Sequence, residues 1–212
     1  MSFAGVRRAA AVSVAAGVLL VAPACTDGGP TGGRASHRAG PGPGDGASPT
    51  PAPASAPIAV SVTHVAGRLR ASDRAAVAGR VRRVLSTYAG QAFLGGPYPR
   101  SDFSGSFGAF TTGAAKDARR DAGLLTNADL GATTRSVRLS RATAYLSVLA
   151  PRRHASGASA AVDWVFAVER GDRPAERVHL QGRLLLTRER TGAWRIFGYD
   201  LHRSTTPAGG GS

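Results

Sequence analysis

Residues Ala160–Arg170 (AAVDWVFAVER), Glu176–Glu189 (ERVHLQGRLLLTRE) and Ala193–Arg203 (AWRIFGYDLHR) decide the fold of this chain. Val, Leu, Ile, Phe, Tyr and Trp recur in them with mixed alternation, the pattern of strands that bury one face. The pieces between them, Gly171–Pro174 (GDRP) and Thr191–Gly192, are short and made of residues that reverse a chain. Strands joined so closely pair as antiparallel neighbours. Ser136–Leu149 (SVRLSRATAYLSVL) has the same character, so four long strands are predicted in the C-terminal half.

Upstream of these strands the apolar period changes. Val77, Val81, Val84, Leu85, Tyr88, Ala92 and Phe93 recur at helical spacing, and Arg74, Arg80, Arg82 and Arg83 mark the wet side. Ser72 is the expected N-cap, with Asp73 in the first turn, and Gly95-Gly96-Pro97 is the expected stop. Gly79 and Gly90 each weaken such a helix by about 1 kcal/mol relative to Ala, so tertiary packing must hold it. A loop carrying Tyr98, Phe103, Phe107 and Phe110 leads to a second, shorter helix over Thr112–Leu125, capped by Thr111 or Thr112. Ile58–Val65 (IAVSVTHV) alternates and is β-branched, which makes it a first strand. The expectation is an α+β domain over residues 58–203. A long N-terminal helix and a short helix pack on a curved, cone-like antiparallel sheet of four or more strands. Ser204–Ser212 (STTPAGGGS) reads as a disordered tail.

The residues before Ile58 read as an address and a spacer. Met1–Arg8 carries Arg7 and Arg8, and Ala9–Ala22 (AAAVSVAAGVLLVA) is an uncharged, mostly apolar run of 14 residues. A permanent span needs roughly 20 apolar residues, so this run suits a cleaved export signal over residues 1–25. The signal ends Ala22-Pro23-Ala24-Cys25, and Cys25 is the only cysteine. This end resembles the lipobox of bacterial lipoproteins, with Ala22 where Leu is usual and Pro23 where Ala, Ser or Thr is usual. The resemblance implies acylation of Cys25; conventional cleavage before it is the alternative. Thr26–Pro57 holds 8 Gly and 7 Pro in 32 residues, the composition of a linker that cannot bury enough surface to order itself. The expected location is the outer face of the cytoplasmic membrane, held by a lipid anchor and not a spanning helix, or else secretion.

The order of helix, aromatic loop, short helix and meander, closed by Gly192–Asp200 (GAWRIFGYD), resembles the nuclear-transport-factor-2-like (cystatin-like) superfamily. The segments Gly95–Phe103 (GGPYPRSDF) and Ala118–Leu125 (ARRDAGLL) are similar to uncharacterised exported proteins of high-GC Gram-positive bacteria. The resemblance covers about 140 residues and implies a cone-shaped domain. It leaves activity open, because that fold hosts enzymes, transport adaptors and binding modules alike. Enzymes of the superfamily set an Asp base on the concave sheet face. Here that implies Asp163, His179 and Asp200 as weak catalytic candidates, with His202 beside them. The plainer reading of these residues is surface pairing with arginine, and no catalytic or cofactor-binding assignment follows.

Charge is the other signal. The chain carries +14, of which residues 58–212 hold +12, and Lys116 is its only lysine. Arg135, Arg138, Arg141, Arg152 and Arg153 fall along one strand and its turn and form the expected basic patch. Arg170, Arg173 and Arg177 follow at the next turn. Guanidinium forks bind phosphate bidentately, so an anionic membrane, an anionic cell-wall polymer or an acidic envelope protein is the expected partner. Export and the lack of aromatics among these arginines argue against nucleic acid. His37, His64, His154, His179 and His202 lack ligand spacing, so no metal or other cofactor is expected. The leading expectation is a membrane-tethered, non-catalytic binding or accessory module of the cell envelope. A small-molecule-binding or catalytic cone-fold domain and a polyanion-binding surface protein are the alternatives.

Overall fold

The computed structural model describes residues 55–209 except Asp172. Within them the architecture is α+β: one open five-stranded sheet, ordered β1-β2-β3-β4-β5, with helices packed on one face. Strands β2 (Thr134–Ala150), β3 (Gly157–Arg170), β4 (Glu176–Arg188) and β5 (Trp194–Pro207) form an antiparallel meander. Strand β1 (Ala59–Gly67) departs from the all-antiparallel expectation and pairs parallel with the edge of β2. The reason is its connection: more than sixty residues, including the helices, carry the chain back before β2 begins.

Helix α1 (Ala71–Ala89) turns Val77, Val81, Leu85 and Tyr88 to the sheet, at the three- and four-residue spacing of one helix face. Its start differs from the expected cap at Ser72. Arg70 occupies the N-cap position without a side-chain hydrogen bond, and Ser72 already lies inside the helix. The helix ends in a π-helical turn, Gly90–Leu94, that delivers Phe93 to the core. The second predicted helix is two pieces. Thr111 caps α2 (Thr112–Arg120) by accepting from the Ala114 amide, and Asp121, at φ −98° and ψ 26°, breaks the run before α3 (Ala122–Leu125).

The sheet face under the helices is set by β3. Ala158, Ala160, Val162, Trp164, Phe166 and Val168 are buried, with Ala142 of β2 and Leu180 of β4 opposite Trp164. Aromatic rings fill the space between layers. Phe93 stacks on Phe166 with centroids 4.4 Å apart, and Tyr88 meets Trp164 at 6.0 Å and Phe110 edge-on at 5.2 Å. The Tyr88 hydroxyl donates to the Leu125 carbonyl at 2.7 Å, so burial leaves it satisfied and raises its pKa.

Hydrogen bonding extends past both expected boundaries of the domain. Ala56 donates its amide to the Leu139 carbonyl at 2.7 Å, and the Leu139 amide donates to the Ser55 hydroxyl at 3.2 Å. At the other end β5 continues to Pro207, opposite Glu176, so Ser204–Pro207 belong to the sheet and not to a tail. Thr205 and Thr206 are β-branched and find partners in Val178 and Arg177.

Candidate functional site

Strand register brings three connections together at one end of the sheet. Gly67 of β1 pairs with Ala150 of β2, Gly157 of β3 with Leu149 and Thr187, and Arg188 of β4 with Trp194 of β5. The β1–α1 connection therefore lies beside the β2–β3 and β4–β5 turns. A cavity of about 640 Å³ opens among them. Arg68 and Arg70 line it from the β1–α1 connection, and Asp73 and Arg80 from α1. Arg152, Arg153 and His154 approach from the β2–β3 turn, and Arg188 and Trp194 from the base of the β4–β5 turn. A second cavity, of about 470 Å³, continues past Arg80 to Arg83 and Thr191. A third, of about 630 Å³, continues past Arg152 and His154 to Glu189 and Arg190.

The result is a trough edged by arginine. Its carboxylates are Asp73 and Glu189, and Glu189 already stands 4.0 Å from Arg195. None of the trough's arginines forms an ion pair among the described residues. Trp194, 5 % exposed, forms part of the floor, and its indole N–H is buried without a partner. Arg152 and Arg153 hold φ of 52° and 66°, the left-handed region that side chains with a Cβ avoid. Unpaired guanidinium groups on both walls of a concave surface focus a positive field and offer forked donors to phosphate oxygens. Donors of this kind and charge are chemically suited to an anion.

The expected basic patch comes apart in the structure. Arg152 and Arg153 belong to the trough. Arg135 and Arg138 sit near the other end of β2, and Arg141 is engaged across the strand by Asp163 at 3.2 Å. A seventeen-residue strand is too long for its two ends to act as one surface, since each residue advances the chain by about 3.3 Å. Arg170 is also occupied, bound at 3.0 Å to Glu176. Several trough residues carried no functional signal in the sequence. Arg80 and Arg83 read only as the wet side of a helix, and the pair Arg68 and Arg70 lies far along the chain from the pair Arg188 and Arg190.

The catalytic candidates lie on the sheet face opposite the helices. Asp163 and His179 do meet there, with Nε2 and Oδ1 2.8 Å apart. Partial burial pushes the Asp163 carboxyl up, but the His179 hydrogen bond and the Arg141 guanidinium prevail and hold it below the usual value. Asp200 is not brought to them; it lies opposite Arg183 on β5, with β4 between it and Asp163. His202 faces Gln181. The face where a concave-sheet base would stand is filled by Trp164 and Phe166 under Tyr88 and Phe93. Asp163, His179 and Arg141 thus form a half-exposed surface cluster, of the kind that contributes up to about 1 kcal/mol.

Among the described residues no group of three or more His, Cys, Asp or Glu is placed to hold a metal ion, and no helix is long and apolar enough to cross a membrane. Cys25, the expected lipidation site, lies outside the described residues, as do the signal and most of the linker. No protein-family model, curated protein or solved structure matches the chain.

Proposed function

We propose that this protein is an exported, membrane-tethered accessory module of the bacterial cell envelope that binds anionic envelope material without transforming it. Its folded part is a nuclear-transport-factor-2-like domain of cone-like form, with α1 as its long first helix. An open sheet with helices on one face supports that reading, as does the basic first stretch, short apolar run and single cysteine of residues 1–25. The observation that carries the function is the trough, where arginines from three separate connections converge with no ion-pair partner of their own. Acylated Cys25 would hold the chain at the membrane, with the Gly/Pro-rich residues 26–57 between it and the domain.

Fractionation of a Gram-positive host expressing the wild type and Cys25→Ser tests the tether. Wild type is expected in the membrane fraction with an acylated N-terminal cysteine, and Cys25→Ser in the medium. Mass spectrometry finding an unmodified Cys25 at the wild-type N-terminus would sink the anchor.

A further inference from the structure

We infer that the trough takes a linear phosphodiester polyanion, seated along several successive phosphates, and not a single phosphate group. The inference rests on the anion-binding reading above and specifies its ligand.

Shape is the first argument. Three adjoining cavities of about 640, 470 and 630 Å³ run across the end of the sheet, and Arg188 lines all three. A lone phosphate needs one subsite. A row of cavities hinged on one guanidinium suits a chain whose charges repeat. Charge is distributed to match: Arg80 and Arg83 stand on α1, and Arg152 and Arg190 on the two turns. Trp194 is 5 % exposed, so the trough offers no open ring on which bases could stack, and recognition falls on the phosphates.

Position is the second argument. The chain enters the described domain at Ser55–Ala56, which are bonded to Leu139. Leu139 precedes the trough's Pro151 by twelve residues of β2, roughly 40 Å of strand. The trough thus lies at the far end of β2 from the point where the described chain begins. A polymer can run across it without meeting that entry, and the row of cavities suits a linear phosphodiester polymer, such as one of the cell wall, more than the single headgroups of a bilayer.

The test titrates full-length Cys25→Ser, which carries no acyl anchor, in detergent-free buffer with glycerol phosphate, poly(glycerol phosphate) of graded length, single-stranded DNA of matched charge, and phosphatidylglycerol vesicles. Affinity per phosphate is expected to climb with polymer length until the trough is filled. The logarithm of the binding constant should fall with log salt at a slope of about −3, as several phosphates shed counterions together. Arg188→Gln should weaken polymer binding about tenfold and flatten that slope by about 1, while Arg138→Gln, which removes equal charge near the other end of β2, should leave both unchanged. Arg80→Gln, an exposed helix substitution, gives the same readout should Arg188→Gln fail to fold. Equal affinity per phosphate at every length, still dependent on Arg188, would overturn the polymer and leave the anion site standing. Equal losses from Arg138→Gln and Arg188→Gln would show diffuse charge and overturn it too. Tighter binding of DNA or of vesicles than of the glycerol polymer would assign the trough to that ligand instead. No binding of any anion would remove both this inference and the function it rests on.

Discussion

Arg153 shows how far a single residue departs from what its local sequence prefers. With Arg152 it holds a left-handed backbone at the lip of the trough, in a turn beginning at Pro151. For a residue with a Cβ that conformation costs about 1–2 kcal/mol, and glycine would remove the cost while adding about 0.5–1 kcal/mol of unfolded-chain entropy. The balance favours glycine by up to about 1.5 kcal/mol. Arg153→Gly is therefore expected to raise the melting temperature by about 2 °C and to weaken binding of phosphate-bearing polymers. Calorimetry and a binding titration on the same sample check the pair of effects. A loss of stability, or unchanged binding, would show that the arginine is not held there for its ligand.

At the scale of the element, β4 is where the backbone and not the side chains sets the limits. Gly182 sits mid-strand at φ +132°, and a Cβ there would lie 2.2 Å from the Asp200 carbonyl oxygen of β5. Strand β5 could not keep its register against any other residue. Gly182→Ala is expected to cost at least about 2 kcal/mol through strain and loss of pairing. Gly79→Ala is the contrast: a Cβ on α1 meets nothing within 4 Å, so helix propensity alone should stabilise the protein by up to about 1 kcal/mol. Urea denaturation of the two variants should move in opposite directions. If both destabilise, α1 is more tightly packed at Gly79 than its open surroundings imply.

Across the whole molecule, one face of the sheet carries the stability and one end carries the proposed function. Trp164 lies at the centre of the covered face, at 0 % exposure, between Tyr88 and Phe166. Trp164→Ala is expected to cost about 3–5 kcal/mol by leaving a large cavity. Phe197→Ala, on the open face and 50 % exposed, should stay within about 0.5 kcal/mol. Chemical denaturation separates these expectations, and similar losses at the two sites would mean the open face is also packed. The division matters for the proposed binding, because the arginine-lined trough lies at one end of the sheet, away from the aromatic layer around Trp164.

Strand alternation, short turns and the helical period were enough to read α+β class, the order of elements and the four-strand meander from the sequence alone. Those are local properties, set by residues within a few positions of one another. Tertiary structure decided what depends on distant partners. The sequence left both faces of β3 apolar around Asp163, and only the helices, by covering Trp164, made one of them the interior. The parallel docking of β1 came from its long connection, and the extension of β5 to Pro207 from its pairing with β4. The site was the least legible part. The sequence marked arginines that are neighbours along β2, yet a strand spreads its residues over tens of ångströms. The arginines that gather in the trough come from residues 68 to 190, joined only because strand register stacks three connections at one end of the sheet.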